Sequence, residues 1–141
     1  MNVYSDTSFI MPLYLVDSHS PAAKGRMRQQ PLLFLTPFQR AELTNAIFQH
    51  VFRRWISDSE ARKAYANFER DCTNRIWQIV RQPERTFDHC ISIAQRQVPI
   101  LGVRTLDTMH VAAALELKAD SFWTFDDRQR QLAEAEGLST T

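Results

Sequence analysis

The chain repeatedly joins a short apolar run to a signal for the start of a helix. The clearest case is Leu32–Leu35, four apolar residues that are compact enough for a strand buried on both faces of a sheet. Thr36 is a good helix cap, Pro37 suits the first helical position, and Gln39 stands where a capping box requires it. This stretch therefore predicts a buried strand that leads directly into a helix.

The same junction occurs twice more along the chain. An extended segment at residues 2–5 ends at Asp6, and a strand at residues 121–125 ends at Asp126. Strands that alternate with helices predict an α/β fold, with a central parallel sheet between two helical layers. Residues 77–80 form a further candidate strand. One predicted helix begins at Asp6-Thr7-Ser8 and another runs from 57 towards Trp77; the others are 21–30, 37–55, 83–97, 107–117 and 128–136, with a connection at 99–104.

Composition limits the classes of protein to which this chain can belong. Its 141 residues suit one domain, and its net charge of +1 excludes a strongly basic nucleic-acid coat. Of the 17 positive residues 14 are Arg, whose planar group suits phosphate recognition. Cys72 and Cys90 match neither a metal-ligand spacing nor a disulfide framework, which favours reduced thiols. No export signal is visible and the apolar run 9–16 is too short to span a bilayer, so we expect a cytoplasmic protein without a membrane partner.

Four acids follow the predicted strands in a way that brings them to one end of the sheet. Asp6 and Asp126 come directly after strands, Asp107 lies in the first turn of a helix, and Glu42 lies about two turns into the helix that follows Leu32–Leu35. Open α/β sheets place their sites outside the carboxyl ends of the strands. Taken singly, the three aspartates could equally be helix caps, and Glu42 could be a solvated surface residue.

Several carboxylates in one cleft repel one another, and their ionised forms need a compensating cation. Oxygen ligands without a His or Cys cluster favour a hard ion, Mg²⁺ or Mn²⁺. Such an ion can polarise a phosphate and activate a water for phosphodiester hydrolysis. One function therefore accounts for all four acids.

The ordered set of motifs resembles the PIN-domain family, and most closely its VapC-type toxins of type II toxin–antitoxin pairs. The motifs are Asp6-Thr7-Ser8, Leu35-Thr36-Pro37 leading to Ala41-Glu42-Leu43, the run from Arg104 to Ala114, and Thr124-Phe125-Asp126. The resemblance covers nearly the whole chain and keeps motif order and spacing. It implies a PIN-like three-layer α/β/α fold in a single nuclease domain at 1–141.

The resemblance also implies an activity and partners. It predicts a Mg²⁺- or Mn²⁺-dependent endoribonuclease with Asp6, Glu42, Asp107 and Asp126 as metal-binding and catalytic acids, and Ser8 as a helper. The usual substrate is a cellular RNA, often tRNA. The usual partners are a small antitoxin, whose tail covers the cleft, and a second copy of the chain.

This sequence departs from the family pattern at two points and leaves one position open. Ser5 stands where an aliphatic residue commonly precedes the first aspartate, which predicts a looser first strand. Residues 137–141 leave little of the last strand that such proteins often have. The Asp126-Asp127 doublet leaves the fourth acid ambiguous; we favour Asp126 as the ligand and Asp127 as the helix cap.

Other residues could support the site or could be structural. His110 lies three residues after Asp107 on nearly the same helix face, where a packed or hydrogen-bonded histidine is the commoner role. Asn45 stands in the same relation to Glu42 and could hold a metal-bound water or the glutamate itself, or could have neither role. Arg104 could pair with site carboxylates, with RNA phosphate, or only with solvent. Periodicity places the three tryptophans mainly in the core; they are Trp55, Trp77 and Trp123.

Two rival functions remain open at this level. The first is a non-catalytic PIN-like module that binds RNA or a protein, although such a surface gains nothing from converging carboxylates without a metal. The second is a nuclease that uses the same metal site on DNA.

Overall fold

The computed structural model describes residues 1–140, and in that part of the chain four strands alternate with seven α-helices. The order is β1 (Asn2–Ser5), α1 (Thr7–Tyr14), α2 (Ser20–Met27), β2 (Leu32–Leu35), α3 (Pro37–Phe52), α4 (Asp58–Thr73), β3 (Trp77–Ile79), α5 (Thr86–Leu101), α6 (Thr105–Glu116), β4 (Ser121–Trp123) and α7 (Asp127–Ala135).

The four strands form one parallel sheet in the order β3-β2-β1-β4. Strand β1 is central, because Val3 pairs with Leu33 on one side and with Ser121 on the other. All carboxyl ends therefore lie at one edge of the sheet. The predicted α/β class and parallel sheet are confirmed.

Side chains that alternate along the strands fill a core on each face of the sheet. Tyr4, Phe34 and Phe122 pack with α5, α6 and α7 on one face. Val3 and Trp123 point the other way and pack with α1 to α4. Both faces are covered, as the alternation of strands and helices predicted.

The capping box at the start of α3 is present and also joins two strands. The Thr36 side chain accepts from the Gln39 backbone, and the Gln39 side chain accepts from the Thr36 N–H at 2.7 Å. The buried Gln39 amide then donates to the carbonyls of Ser5 at 2.6 Å and Phe34 at 3.3 Å. The carboxyl ends of β1 and β2 are thereby fixed to the start of α3.

Helix α3 ends at Phe52, three residues before the predicted end. Arg54 has a φ of 60°, which turns the chain out of the helix. Trp55 is consequently 61% exposed, and its predicted place in the core is wrong. The other two tryptophans, Trp77 and Trp123, are buried as predicted.

Two other predicted boundaries are wrong for local reasons. Helix α5 continues through Pro99 to Leu101, so the predicted connection at 99–104 is shorter. Pro99 lacks the N–H that would bond to the residue four positions earlier, but the helix continues until Gly102 stops it with a φ of 61°. Helix α4 stops at Thr73 instead of continuing towards Trp77, because Arg75 adopts a φ of 60°.

Two departures from the family pattern concern the sheet: Ser5 in β1 and the short stretch after α7. Ser5 pairs with Trp123 and is fully buried, so β1 stays paired there, although the Ser5 hydroxyl has no hydrogen-bond partner among residues 1–140. Near the carboxyl end, Phe122 forms an isolated parallel bridge with Thr140, and residue 141 lies outside the described part of the chain. Within residues 1–140, no helix combines the length and apolar character needed to cross a bilayer.

Candidate active site

Four acids line one cavity of about 130 Å³ at the carboxyl edge of the sheet. Asp6 ends β1 and caps α1, Glu42 lies in the second turn of α3, Asp107 lies in the first turn of α6, and Asp126 follows β4 and caps α7. The parallel strands place these helix starts side by side. The four acids predicted from the sequence therefore lie together.

Asp6 is the most buried of the four, with 5% of its surface exposed. Oδ1 accepts hydrogen bonds from the Ser8 hydroxyl at 2.6 Å and the Phe9 N–H at 3.2 Å, and Oδ2 accepts from the Thr124 hydroxyl at 2.6 Å. Burial raises the pKa of Asp6, although the electrostatic interaction with His110 and these hydrogen bonds act in the opposite direction. The structure therefore fixes this carboxylate while making its charge costly.

Glu42 is held by a histidine that is itself oriented from the sheet. His110 Nε2 lies 2.6 Å from Glu42 Oε2, and its Nδ1 lies 3.1 Å from the hydroxyl of Tyr4. The Thr7 hydroxyl donates to the same glutamate oxygen. Burial raises the pKa of Glu42, but the hydrogen bond and charge of His110, with Thr7 and Arg104, outweigh it and lower that pKa overall. Glu42 is therefore held in its ionised form.

Asp107 and Asp126 stabilise the helices that carry them. Asp107 Oδ2 accepts from the Arg104 backbone N–H at 2.8 Å. Asp126 Oδ1 accepts from the N–H groups of Arg128 at 2.8 Å and Gln129 at 3.0 Å, so Asp126 is the cap of α7. The prediction that Asp127 is the cap is wrong, since its side chain is 83% exposed and pairs with Arg130. Asp126 combines the cap with a place on the cavity wall.

Three of the four supporting candidates lie at the cavity, and Asn45 does not. Ser8, Arg104 and His110 line the cavity. Arg104 does so from the rim, since its side chain is 81% exposed and its Nε lies 3.8 Å from Asp107 Oδ2. His110 is both packed and in contact with the site. Asn45 is exposed on α3 and is not among the residues that line the cavity.

Sequence reasoning missed residues that hold the acids. Thr7 and Thr124 each donate a hydroxyl to an acid, and Tyr4 orients His110. Gln129 lines the cavity and donates to the Asp107 carbonyl at 3.0 Å. Thr7 and Thr124 stand beside the strand-end acids, which is a usable signal. Nothing in the sequence distinguishes Tyr4 from any other aromatic residue of a strand.

The donor set suits a hard cation, although the acids do not form a finished cage. Within residues 1–140, no three His, Cys, Asp or Glu side chains are arranged as a ready metal-binding group. Yet each of three acids engages protein donors through one oxygen only. Glu42 Oε1, Asp107 Oδ1 and Asp126 Oδ2 receive no hydrogen bond from the described residues. All-oxygen donors of this kind match Mg²⁺ or Mn²⁺.

Comparison with known proteins decides the family. A PIN-domain model matches residues 3–135. The chain belongs to the PIN-domain family. The motif-based resemblance is thereby confirmed, and the match spans β1 to α7, including all four acids of the cavity. No curated protein sequence matches the chain.

Solved structures of the same fold cover nearly the entire PIN domain. VapC20 of Mycobacterium tuberculosis, a toxin that cleaves the sarcin-ricin loop, is 16% identical, with a TM-score of 0.68 over 96% of this chain and 95% of that one. VapBC2 of Rickettsia felis, bound to a DNA fragment from its promoter, is 10% identical, with a TM-score of 0.69 over 100% and 98%. VapBC-1 of nontypeable Haemophilus influenzae is 18% identical, with a TM-score of 0.68 over 100% and 97%. At these identities the likeness establishes a VapC-like fold.

Proposed function

We propose that this PIN-domain chain is a metal-dependent endoribonuclease that hydrolyses RNA phosphodiester bonds, with residues 1–141 acting as one nuclease domain. The observation that carries the proposal is the gathering of Asp6, Glu42, Asp107 and Asp126 around one cavity. These acids come from four separate helices, and a surface that only bound phosphate would be weakened by them. Bound Mg²⁺ or Mn²⁺ would offset their repulsion, polarise the scissile phosphate and activate a water.

The chain's own residues supply position and charge. Asp6 is the fixed member, because Ser8 and Thr124 hold both of its oxygens. Glu42, Asp107 and Asp126 would offer the cation the three oxygens that receive no hydrogen bond from residues 1–140. His110 keeps Glu42 aimed at the cavity.

The rim supplies a contact for the substrate backbone. The Arg104 guanidinium is largely exposed beside Asp107 and is therefore accessible to an RNA phosphate. Arginine binds phosphate through paired N–H groups, so this contact would also orient the strand across the acids. RNA affinity should therefore fall as salt rises.

The biological role proposed is that of the toxin in a toxin–antitoxin pair in the cytoplasm. The support is the likeness in fold to VapC20 and to the VapBC complexes of Rickettsia felis and Haemophilus influenzae. The partner would be a cognate antitoxin, and the active form a homodimer. The substrate would be tRNA or another structured RNA cut in a single-stranded loop, where the bond can be splayed out.

The test is cleavage of a structured RNA with Mn²⁺, with Mg²⁺, and with chelator only. We expect cleavage only with the metals, and its loss in Asp107→Asn. Asp127→Asn is the matched control, since Asp127 is an exposed neighbour of the site and should keep full activity. Both variants should melt cooperatively, which separates lost chemistry from lost fold.

Two results would replace the proposal with a rival. Neither metal binding nor cleavage at millimolar metal would leave the non-catalytic module. Equal cleavage of RNA and of DNA with the same sequence would make the chain a nuclease without RNA specificity. Undiminished cleavage by Asp107→Asn would refute the assigned mechanism.

A further inference from the structure

A second cavity, of about 340 Å³, opens beside the acid cavity. We call it the imidazole pocket. Its lining includes Thr7, Ser8, His19, His50, Phe125 and Asp126. Thr7, Ser8 and Asp126 also line the acid cavity. A chain bound across the acids would therefore continue directly into this pocket.

His19 presents a fixed planar surface in the imidazole pocket. Its ring lies nearly parallel to that of Phe125, with centroids 4.5 Å apart and an angle of 13° between the planes. The loop is ordered locally, because the His19 N–H donates to Asp17 Oδ1 at 2.8 Å. His19 nevertheless stays exposed, so the stack it forms with Phe125 can accept one further planar group.

His50 adds a hydrogen-bonding group to the lining of the imidazole pocket. Its Nδ1 lies 2.9 Å from the carbonyl of Ala46, which assigns the ring proton to Nδ1 and leaves Nε2 as an acceptor in the neutral form. The Trp55 ring stands edge-on to it at 5.0 Å and an angle of 84°. The imidazole is therefore held from two directions.

We propose that the imidazole pocket binds an unpaired RNA base next to the phosphate that the acid cavity holds. The inference rests on the proposed nuclease function for the position of that phosphate. Recognition of single-stranded RNA uses bases splayed onto aromatic or histidine rings and hydrogen-bonded at their edges. His19 supplies the ring and His50 the acceptor, within one cavity that adjoins the acids.

This pairing of features favours a base over a peptide side chain. One face of the His19 ring stacks on Phe125, and the ring remains exposed, which suits the addition of another aromatic plane. The pocket also begins at the acids, where the sugar-phosphate chain would lie. Stacking of this kind tolerates any base, so His19 sets affinity, while the His50 acceptor sets base preference.

The experiment measures binding of a single-stranded RNA hexanucleotide to the Asp107→Asn protein in the presence of Mg²⁺, because this variant is expected not to cleave while its remaining acids can still hold the cation beside the phosphate. A set of such RNAs carries one abasic residue at each position in turn. At one position, base removal should weaken binding about 5- to 140-fold, the loss expected for one base stack. Adding His19→Ala should abolish that position's effect, because the stacking partner is already absent.

The control is Phe87→Ala, which removes an exposed aromatic residue on α5, outside both cavities. It should leave the abasic profile unchanged. His50→Phe keeps a ring beside Trp55 but removes the acceptor, and it should change the preferred base with little change in the abasic effect. Thermal melting of each variant checks the fold.

The outcomes separate this inference from the proposed function. The abasic profile is the loss of binding measured at each abasic position. If His19→Ala gives the same profile as its parent, or if no RNA binds, the base site is refuted. An unchanged profile would instead indicate that the pocket binds a protein segment. Metal-dependent cleavage by the wild-type protein with that unchanged profile refutes the base site alone. A His19-dependent profile without cleavage refutes the nuclease alone.

Discussion

Replacing Asp6 with asparagine should make the folded protein more stable while it removes the proposed activity. Burial raises the pKa of Asp6 despite the charge of His110 and the hydrogen bonds from Ser8, Thr124 and Phe9. A raised pKa means that the ionised carboxylate is less favourable in the fold than in water. At neutral pH this charge therefore opposes folding. Asparagine has nearly the same shape and no charge.

The size of the effect follows from what asparagine keeps. Its oxygen can still accept from Ser8 and from the Phe9 N–H, and the Thr124 hydroxyl can turn to accept from the new amide. A single stabilising substitution commonly yields about 0.5–2 kcal/mol, and we expect Asp6→Asn to fall in that range. For a domain of this size that corresponds to a rise in Tm of about 2–8 °C.

The sign of the pH dependence is specific. Asp6 is protonated in both states below its ordinary pKa of 3.8, so the wild-type protein bears no penalty there. As pH rises through the raised pKa of the folded state, Asp6 ionises in the fold and the free energy of unfolding of the wild-type protein falls. The variant has no charge to gain at this position and keeps its stability. The gap in Tm between Asp6→Asn and wild type should therefore widen as pH rises.

Thermal melting of both proteins from about pH 4 to pH 8 measures that gap, because this range starts near the ordinary pKa of an aspartate and extends to neutral pH. Asp127→Asn is the matched control, because an 83% exposed carboxylate should give a small gap at every pH. An Asp6→Asn protein that melts below wild type at pH 8, or a gap that ignores pH, would refute the reasoning.

Three further outcomes are expected. Thr124→Val removes a buried donor to Asp6 and should cost about 1–3 kcal/mol in urea denaturation, which Thr124→Ser should largely restore; equal stability of the valine variant contradicts this. His110→Phe removes the partner that lowers the pKa of Glu42, so NMR titration of metal-free protein should find that pKa higher, and an unchanged value would be evidence against the pairing. Mn²⁺ at about a hundred times its Kd should stabilise the wild type by about 2.7 kcal/mol and Asp107→Asn by less, and equal shifts would place the ion elsewhere.

The sheet and the acid cluster were predictable because both depend on local signals. The capping box at Thr36 and Gln39 follows a compact apolar run, and such a junction has few alternatives in an α/β chain. Acids at strand ends then converge by topology alone. Asp6 and Asp126 illustrate this, since each caps a helix and lines the cavity at once.

What the sequence left open depends on contacts between distant residues or on single backbone angles. His110 receives its orientation from Tyr4, 106 positions away, and no spacing rule connects them. The exposure of Trp55 follows from one left-handed residue, Arg54, which periodicity cannot detect. Asp126 and Asp127 are both good caps by composition, and only the path after β4 selects the first.

The central position of β1 also determines how late in synthesis the acid cavity can be completed. Val3 needs Ser121 as its second neighbour, so the first strand emerges long before its partner. At about 5–20 residues per second, Asp126 leaves the ribosome about 6–24 s after Asp6. A nascent chain therefore has no complete acid cavity for most of its translation. A co-translational binding partner would have that interval in which to meet the chain before the proposed nuclease site is complete.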